Sequence, residues 1–171
     1  LFEVVGGRLH QEDLKAPDLE TFWARVSSRS TNGAQLRLLL SEPQLGPAGG
    51  LLELLTRARQ TSRPLSSLQH LAALESIWLN QEEQRRLLLS QLEKCGWITN
   101  QSSWQESLTL TVEPSLIERW LGADRPYRRA LEETGEASET ALSELRAELL
   151  QHRGKPLPQS LRHWRIEGQL A

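Results

Sequence analysis

Methionine is absent from the 171 residues, cysteine occurs once, and only two phenylalanines and one tyrosine accompany six tryptophans. A single Cys95 excludes an internal disulfide and fits a reducing cytoplasm, which is the compartment expected for the chain. No apolar run approaches the roughly 18 residues of a membrane-spanning helix, so no membrane association is expected. No basic segment followed by an apolar stretch opens the chain, so no secretory signal is visible. Leu1 in place of an initiator methionine suggests a portion of a longer or processed product, and any catalytic part is then expected outside it.

Charge of one sign is missing too. The net charge is −2, and acidic and basic side chains are nearly balanced in each third of the chain. Proteins that grip nucleic acid through its phosphates release counterions with clustered Lys and Arg, so this balance lowers the expectation of tight nonspecific binding.

The residue sets that carry chemistry are thin. Glu82-Glu83 and Glu132-Glu133 are adjacent carboxylates, and consecutive helix positions diverge rather than share a proton. His10, His70, His152 and His163 fall at no metal-ligand spacing with one another or with Cys95, and no metal is expected. Cys95 sits at the negative end of a helix, where a thiolate is disfavoured. Gly46, Gly49 and Gly50 are followed by neither a Lys-Ser/Thr pair nor a dinucleotide-binding glycine spacing. No cofactor, no small-molecule ligand and no enzymatic activity are therefore expected.

What the chain does have is leucine at helical spacing. Residues 1–41 mix signals: Leu1 to Val5 favours a strand, Leu19, Phe22, Trp23 and Val26 recur as a helix, and Gln35 to Leu40 is an apolar run open to either reading. They are expected to form a small N-terminal α/β segment. Asn32-Gly33 marks a turn, and the Pro- and Gly-rich stretch 41–49 is the clearest linker. Leu51, Leu52, Leu54 and Leu55 predict a short helix ending near Gln60, Arg63-Pro64-Leu65 a short strand, and Leu68, Leu71, Leu74, Ile77 and Trp78 a second helix capped by Ser66 or Ser67.

Asn80 with Glu83 forms a capping box ahead of a helix striped by Leu87, Leu88, Leu89 and Leu92, and Gly96 after Cys95 closes it. Alternating sequence follows: Trp97-Ile98-Thr99, then Trp104, Leu108, Leu110 and Val112, with a hairpin expected around Asn100-Gln101-Ser102-Ser103. Over residues 48–113 this order resembles the winged-helix branch of the helix-turn-helix superfamily, above all in Leu92-Glu93-Lys94-Cys95-Gly96-Trp97-Ile98 followed by Leu108-Thr109-Leu110-Thr111. The resemblance implies a mainly α fold, a winged-helix module with a small β-hairpin wing.

Residues 114–171 read as a C-terminal helical extension. Helices are predicted from Ser115 to Leu121, at 125–133 and at 136–152, and Gly154-Lys155-Pro156 breaks the last of them. The tail from Gln159, with Leu161, Trp164 and Ile166, is expected to dock back as a further helix.

Three clusters and one aromatic are candidates for contact with a macromolecule. Arg85, Arg86 and Lys94 lie on the helix that resembles a recognition helix. Arg125, Tyr127, Arg128 and Arg129 form a compact basic group around one aromatic. Arg162 and Trp164 flank His163, and Trp164 could anchor an interface. Trp104, expected at the wing tip, is costly to expose unless something covers it. The expected function is a non-enzymatic winged-helix interaction or assembly module of a nucleic-acid-processing or regulatory system, with a protein partner or self-association. The alternatives are direct DNA binding, as a transcription or replication factor, and an accessory domain of a larger enzyme.

Overall fold

In a computed structural model the described residues are 2–6, 17–58 and 66–171. Their elements run β1 (Phe2–Gly6), α1 (Pro17–Ser28), β2 (Gln35–Pro43), α2 (Pro47–Arg57), α3 (Ser66–Leu79), α4 (Glu82–Lys94), β3 (Trp97–Thr111), α5 (Pro114–Leu121), α6 (Pro126–Glu133), α7 (Glu139–Gln151) and β4 (Pro156–Leu170). The predicted strand at 63–65 lies outside the described residues. Among the described residues no helix is long and apolar enough to cross a membrane.

The strands form one sheet in the order β1-β2-β4-β3. β1 and β2 are parallel, with Val4 level with Leu38. β2 and β4 are antiparallel: Leu170 donates to Ala34 at one end and Gln44 donates to Ser160 at the other. β4 and β3 are antiparallel as well, tied by Ala171 donating to Gly96 and Val112 donating to Lys155.

This corrects the expectation of a mainly α fold carrying a hairpin wing, because the protein is mixed α/β. Residues 97–111 are a single strand rather than a hairpin. Tight two-residue hairpins favour pairs such as Asn-Gly that accept positive φ, and in Asn100-Gln101-Ser102-Ser103 the asparagine is followed by glutamine rather than glycine. The tail is also a strand rather than a helix: the segment pairs with β2 and β3, and this tertiary pairing decides its conformation.

Contacts divide the chain into two units. The first comprises residues 1–42, 80–106 and 162–171. Its core sets Leu36, Leu38 and Leu40 of β2 and Ile166 and Leu170 of β4 against Trp23 of α1 and Leu88 and Leu92 of α4. Leu88 and Leu92, four apart, share one helix face, and burying each contributes roughly 2 kcal/mol. The α4 N-cap is Gln81, and Asn80 Oδ1 accepts from the Glu82 N–H at 3.0 Å. At the other end Gly96 has φ +87°, the left-handed conformation that stops a helix and that glycine adopts without cost. Directly after it, the buried Trp97 donates its indole N–H to Ser27 Oγ at 2.7 Å.

The second unit comprises residues 43–79 and 107–161. Leu51, Leu71, Ile117, Leu121, Leu131, Leu145, Leu149 and Leu157 form its centre. α2, α5 and α6 each begin with a proline in the first turn, where the missing N–H has no helical partner to lose. Ser138 caps α7 by accepting from the Ala141 N–H at 3.1 Å.

Candidate interaction surface

β3 lies at one end of the strand order, so among the described residues no strand pairs with its other edge, called the open edge below. Gly96 and Val112, on either side of it, both bond across to the β4 side. The intervals Gly96 to Val112 and Lys155 to Ala171 are equal, so no net bulge intervenes, and the even-numbered residues face β4. The odd-numbered residues Thr99, Gln101 and Ser103 therefore present N–H and C=O to the side away from β4.

Proteins usually guard such an edge with lysine, proline, a bulge or inward-pointing charge. β3 reads Trp-Ile-Thr-Asn-Gln-Ser-Ser-Trp-Gln-Glu-Ser-Leu-Thr-Leu-Thr, without lysine, arginine, proline or glycine, and Glu106 is its one charged residue. Residues 100–107 are all exposed. Ile98 is 69% exposed and Trp104 47%. Ile98 borders a shallow groove of about 330 Å³ with Gln35, Arg37, Asn100, Glu167 and Gln169.

The register also explains the surroundings of Trp104. Ser41 of β2, His163 of β4 and Trp104 of β3 lie in one row across the sheet. Ser41 Oγ is 2.9 Å from His163 Nδ1, and Glu106 Oε2 is 3.0 Å from His163 Nε2. The Trp104 ring stacks on the imidazole at 5.0 Å and 22°. A serine, histidine and carboxylate in series can activate a nucleophile, but acyl transfer also needs donors aimed at the oxyanion. Ser41 lies inside β2 between the buried Leu40 and Glu42, not at a strand–helix elbow where backbone N–H groups converge. Within the row, the His163 imidazole bonded on both sides forms the surface on which the Trp104 indole stacks.

The candidate contact residues fall in different environments. Arg85 is buried, with Nη1 2.7 Å from Glu42 Oε1, and its guanidinium lies 3.6 Å above the Trp164 ring. Trp164 in turn donates Nε1–H to Glu42 Oε2 at 2.8 Å. Arg85 and Trp164 are thus brought together around a carboxylate that sequence reading missed. Arg86 is exposed and pairs with Glu82, while Lys94 is exposed. Arg162 is exposed on the strand whose next residue, His163, carries the stacking.

In the second unit, Arg125 and Arg129 are exposed, and Arg128 bonds Glu132 and Glu139, each at 2.6 Å. Tyr127 is buried. Its hydroxyl donates to Glu75 Oε2 at 2.8 Å. Glu75 also accepts the N–H groups of Gly46, Ala48 and Gly49 at 2.6, 2.8 and 2.9 Å, so it caps α2 from another helix. A Cβ on Gly46 would come within 2.4 Å of that carboxylate. Burial pushes the Glu75 carboxyl above its ordinary range against the pull of these four donors. Burial and then the charge of Glu75 push the Tyr127 hydroxyl up.

Among the described residues no group of three or more His, Cys, Asp or Glu side chains is placed to hold a metal ion. No family model matches the chain, and no curated protein matches it.

Proposed function

We propose that the protein is a non-enzymatic interaction module that receives an extended strand of a protein partner along the open edge of β3, with Trp104 as anchor. The carrying observation is the unguarded edge of β3 together with an indole held half-exposed beside it by the stack on His163. In strand addition, backbone hydrogen bonds supply affinity and alternate side chains supply selectivity. A protein partner is favoured over nucleic acid because α4 offers little free positive charge: Arg85 is engaged by Glu42, and Arg86 by Glu82. A reducing cytoplasm is the proposed compartment, supported by the lone Cys95.

The test uses the protein as bait beside Ser103→Pro and Trp104→Ala. Ser103 presents its N–H to the open side, so proline removes a docking donor and leaves the bonds to β4 in place. Loss of partner capture in both variants, with unchanged circular dichroism, is the expected result. Undiminished capture by both overturns the reading.

A further inference from the structure

Strand addition leaves open which strand β3 receives. We propose that it is β3 of a second copy of this chain, paired antiparallel about a two-fold axis through Gln101; this rests on the reading of β3 as a docking edge.

A two-fold contact joins the same patch on both subunits, so the strand has to be complementary to itself. Ile98 and Trp104 are the exposed large hydrophobic residues of β3, and both are even-numbered, hence on one face. Gln101 is midway between them. An axis there sets Ile98 of each copy opposite Trp104 of the other, so both exposed apolar side chains gain a cross-strand partner twice over. Thr99, Gln101 and Ser103 make the new backbone bonds, which places Ile98 and Trp104 at the non-hydrogen-bonded pairs, where facing side chains come closest.

The remaining pairs fit the same register. Thr99 faces Ser103, Asn100 faces Ser102, and Gln101 faces its own copy. Glu106, the single charge in the strand, faces Gly96, so no like charges are opposed. Moving the axis to Ser102 opposes Ile98 to Glu106, and moving it to Asn100 opposes Trp104 to Gly96. The paired stretch from Ile98 to Trp104 lies wholly within the first unit.

The experiment combines solution mass with a cysteine scan. In a Cys95→Ser background, Thr99→Cys, Gln101→Cys, Ser103→Cys and Gln105→Cys are each treated with a short bismaleimide, and light scattering follows the mass of the uncrosslinked protein across a concentration series. The expected mass rises toward twice the 19.4 kDa of the chain. Crosslinking peaks at Gln101→Cys and falls on both sides, because at about 3.4 Å per residue the self-distance grows by roughly 7 Å for each step from the axis. Ser103→Pro returns the protein to monomer. A peak at another position, or a dimer that survives Ser103→Pro, overturns the proposal. So does a wild-type protein that stays monomeric throughout: if Ser103→Pro then still abolishes capture of another protein, the docking edge stands without the self-pairing, and if capture is unaffected both readings fall.

Discussion

Among the described residues each unit buries one carboxylate, and the two are held by different means. Glu42 in the first unit meets a cation, Arg85, whose guanidinium is covered by Trp164. Glu75 in the second unit meets four donors without formal charge: three amides at the start of α2 and the Tyr127 hydroxyl. Glu42 is 4% exposed and Glu75 1%, so desolvation is severe in both places. The difference teaches that a helix N-terminus, with its unpaired amides and positive dipole end, can supply every partner of a buried carboxyl group without a formal charge, although at Glu75 burial still outweighs these donors. It also fixes how each site fails. Removing a cation leaves a charge behind, whereas removing the carboxylate from a helix end leaves several orphan donors.

The largest effect is expected at Glu75. Glu75→Ala strands three amides and a hydroxyl, each costing about 1 kcal/mol or more if left unsatisfied, for a total of roughly 4 kcal/mol. Adding Tyr127→Phe should recover little, because the amides of Gly46, Ala48 and Gly49 remain. At Glu42 the pattern reverses. Arg85→Met leaves a buried carboxylate without its cation at a cost of about 3 kcal/mol, and Glu42→Gln added to it should recover most of that loss. Urea unfolding of the two double-mutant cycles checks this contrast, and equal recovery in both cycles breaks it.

The two sites differed just as much in how visible they were. Glu75 stands on the apolar stripe of α3 with Leu68, Leu71 and Leu74, and a carboxylate at a core position is an anomaly that sequence alone could have flagged. Glu42 and Arg85 are 43 positions apart, and nothing in the spacing pairs them. Helices α6 and α7 were legible because proline and serine mark their starts. In β2 the buried positions alternate as Leu36, Leu38, Leu40 and Glu42, but Leu39 between them hid the alternation. β3 read as a hairpin because its apolar residues thin out in the middle, where the strand is exposed on both sides. In β4, Leu157 and Gln159 are buried in the second unit, then Ile166, Gly168 and Leu170 in the first. The parity changes from odd to even within one strand, so no single period of two runs through it. Trp104 stood out as an isolated indole, whereas the row Ser41, His163 and Trp104 exists only through a strand register that joins three distant segments.

Acidification sharpens the comparison further. The Glu75 carboxyl titrates above its ordinary value of 4.5, with burial as the largest cause. The folded state therefore holds this proton at pH values where the unfolded chain has released it, and unfolding in that window releases protons. The stabilising contribution is fully present below the unfolded value and is lost as pH rises through the folded one. Wild-type stability relative to Glu75→Gln, which cannot titrate, is expected to increase as pH is lowered toward 4.5. A stability difference that stays flat, or that grows as pH rises, means that the four donors outweigh burial.

The smallest effects separate a helix cap from an open edge. Ser138→Ala in the second unit removes the acceptor of the Ala141 N–H at the start of α7 and is expected to cost about 1 kcal/mol. In the first unit, Ser102→Pro and Ser103→Pro place the same ring at neighbouring positions of β3, yet their N–H groups face opposite ways. Ser102 faces β4 and would lose a ladder bond, whereas Ser103 faces the open side and has none to lose among the described residues. Ser102→Pro should therefore be less stable than Ser103→Pro by about 1 kcal/mol, the net worth of one backbone bond. Paired urea curves at a concentration low enough to keep the protein monomeric measure that difference. Equal losses would mean that the two sides of β3 are not distinct in the way the register requires, and the docking edge would lose its physical basis.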